Sequence, residues 1–192
     1  MQNKNWRDLS YLVRGTPRQR KAVRVIQSLG ILETLRDFSP TLAGTIPLGI
    51  DTPTSDLDII CQARDLPAFA RCVRAAFGPR DNFRARRTIV RGVESFIANF
   101  DYADFPFEIF AQTRAVGEQY AIRHLLIEAR ALEIGGEPAR EKIRAARAQG
   151  MKTEPAFAEL LGLTGDAYEK LLQVETWSDE KIAAAIRRAS SF

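Results

Sequence analysis

Gly44-Thr45-Ile46-Pro47-Leu48-Gly49-Ile50-Asp51-Thr52-Pro53-Thr54-Ser55-Asp56-Leu57-Asp58-Ile59-Ile60 is the stretch on which the reading of this chain turns. A small glycine-led turn is followed by Asp-Leu-Asp inside an apolar run. A glycine-led turn that opens a short helix can present backbone N–H groups to phosphates. On a strand, residues two apart share a face, with Cα atoms about 7 Å apart. Asp56, Asp58 and Ile60 then face one way, and Leu57, Ile59 and Cys61 the other. Two carboxylates so close repel each other unless a cation or a proton sits between them. Hard oxygen donors of this kind favour Mg²⁺, or Mn²⁺ in its place. Loop and acids together predict a site for a metal-bound nucleoside triphosphate. The plain alternative is a Ser-Asp turn that enters an edge strand whose exposed face happens to be acidic.

Two-metal phosphoryl transfer calls for a further carboxylate. Glu108, in Phe105-Pro106-Phe107-Glu108-Ile109-Phe110, is the favoured third acid. It is the single charge in an aromatic strand, with Phe107 and Ile109 on the opposite face. Burying a carboxylate without a partner is costly, and a cation would supply the partner. The competitors are Asp101 and Asp104, placed at a turn between strands, where no special partner is needed.

The pattern resembles the nucleotidyltransferase superfamily, the DNA-polymerase-β-like fold. Its signature is Gly-Ser, a short spacer with a second Gly, then Asp-x-Asp or Asp-x-Glu on a strand. This chain has Gly44-Thr45, Gly49 and Ser55-Asp56-Leu57-Asp58. The wording is most similar to a bacterial branch known only as a domain of unknown function. That likeness extends to Phe107-Glu108-Ile109-Phe110 and Lys152-Thr153-Glu154-Pro155-Ala156-Phe157. The resemblance implies a metal-dependent transfer of a nucleoside monophosphate from an NTP to an acceptor that the sequence does not name. It implies nucleotide phosphates on Gly44, Thr45 and Ser55, and Mg²⁺ or Mn²⁺ on the catalytic acids Asp56, Asp58 and Glu108. It also implies that the acceptor is bound by the helical region after residue 115. Three departures stand out: Thr45 replaces Ser but keeps the hydroxyl, Pro47 removes a backbone donor, and Leu48 stands where many members carry a basic residue. They keep open a second reading, a catalytically inactive nucleotide-binding or regulatory module, while the Arg clusters keep open a third, a nucleic-acid-interacting protein.

Outward from this stretch the elements alternate. Thr16-Pro17 predicts a capped helix start running to about Ser28, with Gly30 as an interruption. Short strands are expected at 41–44 and 57–61, and a helix at 65–77. Strands at 83–90 and 93–101 flank the hairpin turn Arg91-Gly92, and a further strand spans 106–112, with Pro106 at a strand start or edge. From Val116 the pattern is helical: an apolar helix over 119–132 ends at Gly135-Gly136, and shorter helices follow at 138–149, 154–161, 166–173 and 178–189. These elements predict an α+β (α/β sandwich) fold with a small mixed β-sheet and flanking helices. The expected division is a nucleotidyltransferase-like core over 1–115 and a helical region over 116–192 packed on it as one folding unit.

Composition excludes several classes. The chain has 192 residues, 45% hydrophobic and 27% charged, which is ordinary for a globular domain. It has no apolar run near 18 residues, so no membrane partner is expected. The start, Met1-Gln2-Asn3-Lys4-Asn5-Trp6, lacks the apolar stretch of a leader peptide. Cys61 and Cys72 lack disulfide-framework or zinc spacing, which predicts reduced thiols and a cytoplasmic location. Of 28 basic residues 22 are Arg, for a net charge of +4, which alone does not signify nucleic-acid binding. Arg80, Arg84, Arg86, Arg87 and Arg91 cluster near the predicted hairpin, either to steer a polyanion or to protect a solvated strand edge. His124, the single histidine, is expected to pair with Glu128 one helical turn later rather than to act as a base.

Overall fold

A computed structural model describes residues 6–189. Residues 1–5, where the sequence predicts no leader stretch, lie outside the described residues. The described chain forms helices α1 (Ser10–Val13), α2 (Pro17–Leu29), α3 (Ile31–Thr34), α4 (Leu66–Phe77), α5 (Tyr120–Ala148), α6 (Thr153–Leu160), α7 (Ala167–Leu172) and α8 (Asp179–Ala189). Its strands are β1 (Thr41–Ala43), β2 (Leu57–Gln62), β3 (Asp81–Val90), β4 (Val93–Tyr102) and β5 (Phe105–Gln112). The fold is α+β, a mixed sheet flanked by helices, as the element pattern predicts. The chain divides into two compact units, one of residues up to Gly49 together with Thr54–Ile122, the other of Ile50–Pro53 and the residues from Arg123 on.

In the first unit the sheet order is β1-β2-β5-β4-β3. β2 and β5 run parallel, and the other neighbours are antiparallel. Period-two alternation sends Leu57, Ile59 and Cys61 of β2, Phe105, Phe107, Ile109 and Ala111 of β5, and Phe96, Ala98 and Phe100 of β4 into one buried core. Val23 and Ile26 of α2 and Phe69, Val73 and Phe77 of α4 complete it. Phe77, Phe100 and Phe107 stack in sequence, with centroids 5.3 and 5.0 Å apart. Asp56, Asp58 and Glu108 fall on the other face by the same alternation. β5 is an inner strand, so Pro106 marks a strand start and not an edge. β3 is an edge strand, and its hairpin turns through Arg91 (φ 49) and Gly92 (φ 75), as a two-residue turn between strongly twisted strands requires.

The second unit is helical. α5 is interrupted at Gly136 (φ 63, ψ −156), a conformation that a residue with a Cβ adopts only under strain. The helix therefore breaks where the sequence predicts its end, and Pro138 opens the second segment within its first turn. Arg123 grips Glu175 through Nε (2.8 Å) and Nη2 (2.7 Å), and Arg130 donates to both Asp179 and the Trp177 carbonyl. His124 does not pair with Glu128 as expected. Its Nε2 lies 2.9 Å from the Tyr168 carbonyl and its Nδ1 3.6 Å from Glu154 Oε1. Tertiary partners displace the one-turn partner because the ring is buried among them.

Glu128 is left deeply buried, and its carboxyl is pushed up to about 8 by desolvation first and then by the charge of Glu154, against the lowering effect of Arg147. A carboxyl raised in the folded state contributes stability that is full below its ordinary 4.5 and is lost as pH rises through about 8. Replacing Glu128 with Gln is therefore expected to leave the melting temperature close to wild type at about pH 4.5 and to raise it relative to wild type at pH 8.5. An equal difference at both pH values would show that ionisation of Glu128 is not what destabilises the unit.

Candidate active site

The loop after β1 begins at Gly44, with φ +78. The positive φ calls for glycine, and a Cβ there would overlap Oδ2 of Asp58, so the carboxylate would have to turn aside for any other residue. The loop then makes two tight turns, Leu48 N–H to the Thr45 carbonyl (3.2 Å) and Gly49 N–H to the Ile46 carbonyl (3.1 Å), and does not open a helix. Pro47 offers no N–H and Gly49 has positive φ, so the helical ladder cannot propagate. This corrects the expectation of a helix N-terminus facing phosphate, and no helix dipole acts here.

Thr45 and Ser55 are brought together. Both are buried, and Thr45 Oγ1 donates to Ser55 Oγ at 3.0 Å. Arg18 donates to the Ser55 carbonyl at 2.9 Å, while its guanidinium lies 4.6 Å from the centre of the Phe105 ring. Gln19 holds the loop from the other side. Its Oε1 accepts from Thr16 N–H as half of a capping box on α2, and its Nε2 donates to the Ile46 carbonyl at 2.7 Å. The pair Thr16-x-x-Gln19 is visible in the sequence as a helix start, but its second use as a loop clamp is not.

Asp58 on β2 is the register partner of Glu108 on β5. Adjacent strands lie about 4.8 Å apart, so the two side chains stand side by side on one face. Asp56 precedes β2 by one residue and shares that face by alternation. Its charge acts on Glu108, whose carboxyl is raised by desolvation first and by Asp56, and lowered by a hydrogen bond from Asn99 and by the charge of Arg86. Asn99, on β4 opposite Glu108, donates to Oε2 at 3.2 Å. Sequence reasoning passed over Asn99, although the alternation of Phe96, Ala98 and Phe100 places it on the acidic face. The competitor acids are engaged elsewhere: Asp101 accepts from Asn82 at 2.6 Å, and Asp104 pairs with Lys21 at 2.9 Å.

Asp58 leans toward Gly44 at the β1 side, and Glu108 toward Asn99 at the β4 side. Among the described residues no group of three or more His, Cys, Asp or Glu side chains converges as a ready metal cage. The donor set itself consists of carboxylate oxygens, the chemistry that hard divalent cations take.

Solved structures of similar fold belong to nucleotidyltransferases. The RNA terminal uridylyl transferase Cid1 superposes with a TM-score of 0.53 at 13% identity, covering 81% of this chain and 48% of that one. GLD-2 in its complex with RNP-8 gives 0.50 at 11% identity, covering 87% and 75%. The polymerase core of TRAMP, an RNA surveillance complex, gives 0.50 at 9% identity, covering 94% and 60%. The chain thus has a nucleotidyltransferase fold and spans about half the length of Cid1. Residues 24–174 match the family described as "Domain of unknown function (DUF4269)", and the chain belongs to that family. No curated protein matches it in sequence. No described helix is long and apolar enough to cross a membrane.

Proposed function

We propose that this protein is a metal-dependent nucleotidyltransferase that moves a nucleoside monophosphate from an NTP to an acceptor. The observation that carries this reading is the register pairing of Asp58 with Glu108 on parallel strands, beside a glycine whose missing Cβ makes room for the Asp58 carboxylate. The shared fold supports it, and Cid1 has been solved with Mg 3′-dATP. Asp56, Asp58 and Glu108 would hold Mg²⁺ or Mn²⁺, which would neutralise charge on the transferred phosphoryl group and the leaving pyrophosphate. Gly44, Thr45 and Ser55 would receive the triphosphate. The acceptor oxygen bonds to the α-phosphorus as the bond from that phosphorus to the bridging oxygen breaks. Pyrophosphate leaves, and the acceptor's proton passes to Glu108.

Titration calorimetry with Mn²⁺ and a nonhydrolysable NTP tests the site. The expected result is binding heat in wild type that disappears in Asp56→Asn/Asp58→Asn. Identical heats from the two proteins would place the metal elsewhere. A second reading, a nucleotide-binding module without turnover, draws on the loop's departures at Pro47 and Leu48 and on the hold of Asn99 on Glu108. It predicts the same heats with no pyrophosphate release from any NTP.

A further inference from the structure

The five arginines around the hairpin are not equivalent. Arg80 lies 4.9 Å from the centre of the Tyr102 ring, Arg91 lies 4.9 Å from that of Tyr120, and Arg87 Nε is 3.6 Å from Glu94 Oε1. No carboxylate of the described residues lies within ion-pair distance of Arg84 or Arg86, and both are exposed. These two are also the ones that fall on the acidic face. Arg84 pairs with Asn99, which pairs with Glu108, which pairs with Asp58. Asp58, Glu108, Asn99 and Arg84 therefore form one row across four neighbouring strands. Arg86 stands one row further along, in line with Ile97 and Phe110. At the usual strand spacing Arg84 and Glu108 are about 10 Å apart at Cα, a gap that a ligand bridging an extended guanidinium and the carboxylate can span.

We propose that Arg84 and Arg86 bind phosphate on the acceptor, so that the β3 side of the sheet, and not the helical region after residue 115 that the resemblance implies, is the acceptor side and the substrate class is a phosphate-bearing molecule. This inference rests on the transferase reading of the same site. Guanidinium groups suit phosphate because their paired donors match its oxygens. Two of them on one strand, two residues and about 7 Å apart, suit an acceptor with more than one anionic group. The acceptor oxygen then lies between this pair and Asp58, next to Glu108. Edge protection is the competing account, since β3 is an edge strand. It treats Arg84, Arg86 and Arg87 alike, whereas phosphate binding singles out the first two.

The test is fluorescence anisotropy with a labelled single-stranded oligonucleotide over a salt series, in competition with ribose 5-phosphate. Wild type, Arg84→Gln/Arg86→Gln and Arg87→Gln are compared, and Mn²⁺–NTP heats are recorded on the same samples. The double variant is expected to bind roughly ten- to thirtyfold more weakly near 0.1 M salt, with the log–log salt slope reduced by about 1.4. Arg87→Gln should stay within about twofold of wild type and keep its Mn²⁺–NTP heat. Displacement by ribose 5-phosphate at low concentration would support a small phosphorylated acceptor, and resistance to it a polynucleotide strand. Wild-type-like binding by the double variant, an equal loss in Arg87→Gln, or no binding of either probe by wild type would overturn the proposal. Absence of Mn²⁺–NTP heat in wild type would instead remove the transferase reading, since the arginine effect is read from anisotropy alone.

Discussion

On the transferase reading, replacement of Asp58 by alanine is expected to lower nucleotide transfer by about 10³-fold or more while leaving the protein at least as stable as wild type. The two halves of this expectation have one cause. Asp58 stands beside Glu108 and shares its face with Asp56, so removing its charge relieves repulsion from those two neighbours. The same charge is what would anchor the metal and the triphosphate. A residue kept for folding behaves in the opposite way, with stability falling on truncation. Melting temperature without nucleotide and pyrophosphate release are measured side by side. A large drop in melting temperature, with no transfer by wild type on any NTP, would assign the acidic pair a structural role.

Gly44 should be nearly as intolerant, for a different reason. Alanine at φ +78 incurs the left-handed penalty of about 1–2 kcal/mol, and its Cβ also meets the Asp58 carboxylate. A total loss of about 2–4 kcal/mol is expected, or a fall of about 5–15 °C in melting temperature for a chain of this size. Combining Gly44→Ala with Asp58→Ala should recover the part due to overlap and leave the part due to φ. Such a cycle reports coupling of about 0.5–3 kcal/mol for groups in contact. Strict additivity in the double variant would mean that the glycine serves the turn alone and that its nearness to Asp58 is incidental.

These two residues also show what a sequence can and cannot disclose. The strands, the hairpin at Arg91-Gly92 and the break at Gly136 are legible because each depends on local preference: alternation, turn chemistry and the freedom of glycine. The separation of Asp56 and Asp58 from Leu57, Ile59 and Cys61 follows from the same period. The placement of Glu108 directly beside Asp58 is not local. It depends on which strands pair and in which register, and β2 and β5 are separated in sequence by α4 and a whole hairpin. Asn99 was missed because nothing in its neighbours signals a carboxylate across the ladder. The loop was misread as a helix start because its glycine and hydroxyl fit one, while the effect of Pro47 and Gly49 together appears only when their dihedral angles are known. His124 was assigned the partner one turn away because that is the pairing a single helix offers, whereas a buried ring takes whatever the neighbouring helices supply.

The two-ended use of Gln19 has a mechanical meaning. With Oε1 on the first turn of α2 and Nε2 on the Ile46 carbonyl, one amide group links the start of a thirteen-residue helix to the turn beside Gly44. The turn cannot swing away without uncapping the helix, and the helix cannot fray without releasing the turn. Their openings are therefore a single cooperative event rather than two independent ones. Any entropy that a bound triphosphate would have to remove from the loop has already been removed by folding, and the rigidity of the turn is inherited from the helix behind it.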